Sequence, residues 1–273
     1  GVTFGIFTCY DILFKDPPLV MVEKGVQNFI FTTAWGSQLP YFVPLAIQQA
    51  WSRTTGTTFL VANYHSPTMT INPSTGSGIY SSGTPLSTFA SGEDFAPATG
   101  HLIVAELPKG PGVGQVVVDP DRVGTLWETG FQFKILDGTS PVSIAYESAQ
   151  VNSTFTCSLS YSFKKHVSNE TYGLGVLVNP RNEEYNAGCT VIKCIDASCT
   201  NASYQPTTKA STVFSYISLS GDFPKQSAVF PVAIGNQYKL FPPEQFHHEG
   251  NTLTIKGANE PLISVSLWSI LPS

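Results

Sequence analysis

The sequence predicts two regions: α/β over residues 1–112, in the form of half of an α/β/β/α sandwich, then all-β over residues 113–273. Three observations carry that expectation. Apolar runs near the start lead into helix-like spacing. A breaker-rich stretch, Pro108-Lys109-Gly110-Pro111-Gly112-Val113-Gly114, then acts as a linker. Beyond it, short alternating runs are divided by turn residues, and long helical patterns are missing.

The first run, Val2 to Phe7, is β-prone and ends at Thr8-Cys9. The pattern then turns helical, with Asp11 as an acidic first-turn residue ahead of Ile12, Leu13 and Phe14. Pro17-Pro18 interrupts the helical continuation. Val26 to Thr33 reads as a second strand, ending in Ala34-Trp35, at the carboxyl end where ligands of open α/β sheets collect. Trp35 suits a substrate-pocket wall and ordinary packing about equally. Pro44 to Ser52 has helical spacing, with Leu45, Ile47 and Trp51 set against Gln48 and Gln49. Thr58 to Asn63 is the next strand and leads into Tyr64-His65. His65 is placed as a pocket-wall residue with no proton-transfer role. Thr75 to Tyr80 and His101 to Leu107 complete the strands of this region.

Nine runs follow: Gln115 to Val118, Gly130 to Ile135, Val142 to Tyr146, Thr154 to Phe163, Gly173 to Val178, Cys189 to Ile195, Val213 to Leu219, Thr252 to Lys256 and Leu262 to Trp268. His247-His248 reads as a solvated pair in a polar turn.

Charged residues are 12% of the chain, against a usual share of about 25%. The net charge is -5 and no Lys/Arg cluster stands out, so nucleic acid and anionic membrane surfaces are poor partners. No run approaches the roughly 18 apolar residues of a membrane span.

The chain has five cysteines. Cys157, Cys189, Cys194 and Cys199 can form two disulfides in three ways, leaving Cys9 as a free thiol. The spacing Cys189-x4-Cys194-x4-Cys199 lacks the paired histidines of a zinc site, so no metal is expected. Sequons at Asn152, Asn169 and Asn201, together with the clustered cysteines, favour glycosylation and secretion through an oxidising compartment.

A cysteine where a strand turns into a helix lies among converging backbone N–H groups, which can donate to an oxyanion. From local pattern alone, a buried structural cysteine in an apolar strand is the commoner outcome. The wider chain shifts the balance. Gly5-Ile6-Phe7-Thr8-Cys9-Tyr10-Asp11-Ile12-Leu13-Phe14-Lys15-Asp16-Pro17 resembles the nucleophile elbow of the vanin/biotinidase branch of the nitrilase (carbon–nitrogen hydrolase) superfamily. The resemblance continues, in order, through Phe31 to Trp35, Leu39-Pro40, Ala50-Trp51, Ala62 to His65 and Gly76 to Tyr80. It resumes at Cys189 to Cys194 and Phe214 to Gly221.

That resemblance implies a nitrilase-type sandwich followed by a vanin-like base domain. It implies Cys9 as nucleophile and the Tyr10 backbone N–H as an oxyanion-hole donor, with no cofactor. The family's Glu base and Lys precede the elbow, and only eight residues precede Cys9 here. Glu23, Lys15 and Lys24 follow it and are not assigned those roles. Two features depart from the family: its Cys-rich base-domain patch is reduced to Cys157, and Lys15 stands where vanins tend to carry His.

The expectation is therefore the C-terminal portion of a longer precursor, whose N-terminal chain supplies the missing strands, the Glu and the Lys. It would be secreted, or membrane-anchored in precursor form, and could form a homo-oligomer. The expected activity is hydrolysis of a linear amide of a small metabolite, pantetheine- or biocytin-like, through a cysteine thioester. The alternative is a catalytically inactive relative that binds or carries a small apolar ligand.

Overall fold

The computed structural model describes residues 1–64, 76–90, 102–107, 115–116, 125–126, 130–148, 153–181, 184–199 and 209–270. They are mostly β-sheet with few helices. Two compact units result, one of residues 1–37 with 42–124, the other of residues 38–41 with 125–273.

In chain order the first unit holds β1 (Gly5–Thr8), a 3-10 helix (Cys9–Leu13) and a π-helical turn (Lys15–Leu19) running into α1 (Val20–Glu23). Next come β2 (Asn28–Thr33), then β3 (Gln38–Leu39), which belongs to the second unit, and then α2 (Pro44–Thr55). β4 (Thr58–Asn63), β5 (Ser77–Ser81), β6 (Thr84–Phe89) and β7 (Gln115–Val116) follow. The sheet order is β1-β2-β4-β5-β6-β7. β1, β2 and β4 run parallel, with Phe7 opposite Phe31 and Phe31 opposite Val61.

Parallel neighbours need a crossover, and α2 supplies it between β2 and β4. Pro44 opens α2, where a missing N–H costs nothing, and Gly56 closes it at φ 66°. The alternation of β1, β2 and β4 puts Phe7, Phe29, Phe31 and Phe59 on one face, all buried. Trp51 of α2 packs into them, with ring centroids 4.5 Å from Phe59, 5.0 Å from Phe29 and 5.1 Å from Phe7. Gly5 lies under this cluster; a Cβ there would come within 2.5 Å of the Phe29 ring. The opposite face carries Val2 and Ile6, 70% and 65% exposed, beside exposed Thr8, Thr32 and Ala62.

The second unit continues with β8 (Thr125–Leu126), β9 (Gln132–Ile135), β10 (Val142–Ser148), β11 (Ser153–Lys165), β12 (Tyr172–Arg181) and β13 (Glu184–Lys193). It ends with β14 (Val213–Gly221), β15 (Ala228–Gly235), β16 (Phe246–Glu249), β17 (Thr252–Lys256) and β18 (Leu262–Ile270). Two antiparallel five-stranded sheets, β10-β11-β14-β17-β16 and β15-β18-β13-β12-β9, share one core. Phe155, Leu159, Ile217, Leu219 and Leu253 face Leu174, Val176, Val191, Val265 and Leu267 across it. Disulfide Cys157–Cys189 joins β11 to β13, with both sulfurs in the core. Closing that loop of about 30 residues is worth roughly 3–4 kcal/mol through the unfolded state.

The other face of β18 is also covered. Ser264 Oγ donates to the Pro40 carbonyl at 2.8 Å, and Ser266 and Thr190 complete a buried hydroxyl cluster, 2.8 Å apart. Tyr41 stacks on Trp268, and β3 pairs in parallel with β8. Residues 38–41 are thereby held to the second unit.

Several sequence readings need correction. Residues 102–107 form no strand: Leu102 and Val104 are 85% and 75% exposed, and the segment pairs with no sheet among the described residues. His247-His248 is strand β16, because its backbone pairs with β17. β6 and β15 are not among the runs read from the sequence; they contain Pro85 and Pro231, and β15 is an edge strand, where proline is tolerated. Gln48 and Gln49 of α2 are buried along with its apolar residues. Gln48 donates to the Gly76 carbonyl and accepts from the Tyr80 hydroxyl. The linker reading of Pro108 to Gly114 lies outside the described residues.

Candidate functional site

Three parallel strands end side by side at Thr8, Thr33 and Asn63, and the residues after them face a common edge. Cys9 follows β1 directly and is a free, half-buried thiol. Its φ of +52° is left-handed, a conformation costing a residue with a Cβ about 1–2 kcal/mol. Such strain persists only where the surroundings over-determine it, and it clusters at functional sites.

The surroundings are visible. The Thr8 N–H donates to Asp11 Oδ2 at 2.9 Å, so the Asp11 carboxylate reaches back across the turn as in a capping box. Ile12 and Leu13 are buried and anchor the short helix. Thr8 and Thr32 hydroxyls meet at 3.2 Å across the parallel pair. Tyr10 lies in the first turn, whose backbone N–H groups precede any intrahelical acceptor. Its ring is exposed and stacks on Trp35, with centroids 5.7 Å apart and planes at 27°. Trp35 is buried and packs edge-on against Phe42.

The fold thus brings Cys9, Tyr10 and Trp35 into one place. His65 lies outside the described residues. Lys15 and Glu23 form an exposed ion pair with each other at 3.4 Å. A residue to which the sequence reading gave no role is Asn63: its Oδ1 accepts the Trp35 N–H at 2.8 Å and its Nδ2 donates to the Trp35 carbonyl at 2.9 Å. A polar side chain closing a buried strand was the available signal.

In the second unit Cys157 pairs with Cys189 and Cys194 with Cys199. Gly173 makes room for the latter pair, since a Cβ there would lie 2.8 Å from the Cys199 sulfur. Asn169 is exposed in a turn closed by the Glu170 N–H donating to the Val167 carbonyl. Asn152 and Asn201 lie outside the described residues. Glu170 accepts from Lys193 Nζ at 3.0 Å and from the Ser211 and Thr212 N–H groups at 2.9 and 2.8 Å. Burial opposes its charge, but those donors together hold the carboxyl below its ordinary range. A cavity of about 280 Å³ at β16 and β17, lined by Glu244, His247, Thr254 and Lys256, holds no cysteine. Among the described residues no cluster of three or more His, Cys, Asp or Glu could hold a metal.

Fold and site together define a class: a β-rich protein carrying a strained free cysteine at the carboxyl edge of a partly parallel sheet, followed by a disulfide-linked β-sandwich. A family model described as the Vanin C-terminal domain matches residues 129–271, and the chain belongs to the vanin family. Human (Homo sapiens) pantetheinase is 31% identical over 288 residues, covering 98% of this chain and 54% of the relative. Bovine (Bos taurus) pantetheinase is 32% identical over 285 residues, with 98% and 54% covered. Biotinidase of Takifugu rubripes is 29% identical over 278 residues, with 89% and 52% covered. The chain spans about half the length of these relatives.

Proposed function

We propose that this chain is the nucleophile-bearing portion of a vanin-like amidohydrolase that cleaves a linear amide of a small metabolite, pantetheine- or biocytin-like. The observation that carries the reading is Cys9: a free thiol held at a left-handed φ, beside the Tyr10–Trp35 stack, where three parallel strands end. The names of the relatives agree with it.

The chemistry follows from the residue types. The Cys9 thiol gives its proton to a carboxylate base and its sulfur bonds to the amide carbon. The oxyanion takes donors from the Tyr10 N–H and a lysine. The C–N bond breaks, the amine leaves with the proton from the carboxyl, and a thioester remains. Water, deprotonated by the same carboxylate, attacks the thioester; the C–S bond breaks, the carboxylic acid product leaves, and the proton held by the carboxyl returns to the Cys9 sulfur.

The Glu and Lys would come from an N-terminal portion of the same precursor. Its strands would complete an α/β/β/α sandwich against the uncovered sheet face of Val2, Phe4 and Ile6 and against Leu102 and Val104. Exposed apolar surface of this kind marks an interaction site. Two disulfides and the Asn169 turn support passage through an oxidising, glycosylating compartment.

The test is turnover by the full-length protein: cysteamine release from pantetheine and biotin release from biocytin, each abolished by a thiol alkylator that modifies Cys9. A trapped acyl adduct on Cys9 supports the thioester step. Absence of turnover and of adduct overturns the hydrolase reading and leaves a ligand carrier, which equilibrium binding to the Tyr10–Trp35 site would report.

A further inference from the structure

The structure assigns Asn63 as the positioning residue of this site: its side chain fixes Trp35, and through Trp35 the aromatic wall beside Cys9. The inference rests on the hydrolase reading for its kinetic part only.

The β2–β4 ladder runs from Asn28↔Thr58 to Thr33↔Asn63 and stops there. The Tyr64 N–H makes the last backbone bond, to the Thr33 carbonyl. Beyond that point the chain continues into Ala34 and Trp35, and among the described residues the β2–β4 pairing goes no further. The Asn63 carboxamide takes that place. It is a donor and an acceptor in one plane, and it meets the donor and the acceptor of a single residue, Trp35, at 2.8 and 2.9 Å. The Asn63 backbone is held in turn, its N–H donating to Ser77 Oγ at 3.0 Å from β5. Restraint thus runs from Ser77 to Asn63 to Trp35 to Tyr10, the residue after the nucleophile.

No isosteric replacement keeps both bonds. Alanine loses both; aspartate keeps the acceptor and faces the Trp35 carbonyl with negative charge; glutamine is one methylene too long. Alanine therefore removes both of these bonds to Trp35, while aspartate removes only the one to its carbonyl.

The experiment uses the full-length protein with Asn63→Ala and Asn63→Asp. Hydrogen exchange at the Trp35 amide reads the geometry directly. Faster exchange by about tenfold or more is expected in Asn63→Ala, the loss of roughly one hydrogen bond's protection, with near-native protection in Asn63→Asp. Alkylation of Cys9 by a bulky maleimide should accelerate in Asn63→Ala. Steady-state kinetics, normalised to titratable Cys9, should show KM raised about tenfold with kcat changed less, a split that partial unfolding alone would not produce. Unchanged Trp35 exchange and unchanged maleimide rates in Asn63→Ala overturn the assignment. Altered exchange with unchanged KM overturns the link from Trp35 to substrate. If the parent protein turns nothing over, the hydrolase reading fails while exchange and alkylation still decide whether Asn63 positions Trp35. Should Asn63→Ala not fold, Asn63→Asp alone decides: near-native Trp35 amide protection with faster Cys9 alkylation is expected, and an unchanged alkylation rate overturns the assignment.

Discussion

The two units use the same alternation and close it differently. In the sandwich, each sheet turns its apolar face to the other sheet, and Cys157–Cys189 ties the two together. In the first unit, one sheet face buries four phenylalanines against Trp51 while the other leaves Val2 and Ile6 exposed. The sandwich packs two apolar sheet faces on each other; the cysteine-bearing unit leaves Val2, Phe4 and Ile6 exposed. Exposed apolar surface and a strained Cys9 lie in the same unit, the pattern that the proposed completion by an N-terminal portion would need.

That contrast can be broken or sharpened by experiment. The largest effect is expected at the nucleophile: Cys9→Ala in the full-length protein should cost a factor on the order of 10⁴ or more in turnover. It should leave thermal stability near the parent value, since alanine keeps the Cβ at φ +52° and loses only a half-buried sulfur. Residual turnover near the parent rate would sink the nucleophile role.

Comparable losses are expected when each unit loses its own central tie. Phe59→Ala removes a fully buried ring that contacts Phe7, Phe31 and Trp51, and should cost about 3–5 kcal/mol by denaturant unfolding. Replacing Cys157 and Cys189 together by alanine should cost about 3–4 kcal/mol in the sandwich and leave Cys9 alkylation unaltered. A changed alkylation rate would show that the staple acts beyond its own unit.

The clasp gives a smaller number. Ser264→Ala leaves the Pro40 carbonyl with a single longer contact to Ser266, at 3.4 Å. About 1–2 kcal/mol should be lost, readable as a shift in denaturant midpoint.

The last prediction concerns pH. The folded-state carboxyl of Glu170 sits below its ordinary value of 4.5, so the native state holds the charged form more strongly than the unfolded chain does. Its stabilisation is complete above about pH 4.5 and disappears as pH falls through the folded value. Glu170→Gln should flatten the acid limb of a stability–pH curve; an unaltered limb would exclude Glu170 as its source.

Much of the strand pattern was legible because one face of most strands is buried, and period-two alternation survives in the sequence. β4 and β17 are found with the bounds that their residues suggest. The misses have physical causes. Residues 102–107 alternate like a strand, yet alternation records a preference, not a partner. β15 contains Pro231, which sequence reasoning treats as a stop, while at a sheet edge the missing N–H is no loss. Ser264 and Ser266 alternate with Val265 and Leu267 along β18 as a solvated face would, but both are buried.

The amino-acid sequence by itself determined the strand-rich character of the chain, the free thiol among five cysteines and the turn at which it stands. Those depend on local preference, parity and the hydrophobic period, which a linear string carries. Tertiary structure alone decided that Cys157 pairs with Cys189, that residues 38–41 clasp the sandwich, and that Asn63 holds Trp35. Each depends on groups far apart in the chain meeting at hydrogen-bond or bonding distance, and nothing in either partner's neighbourhood announces the other.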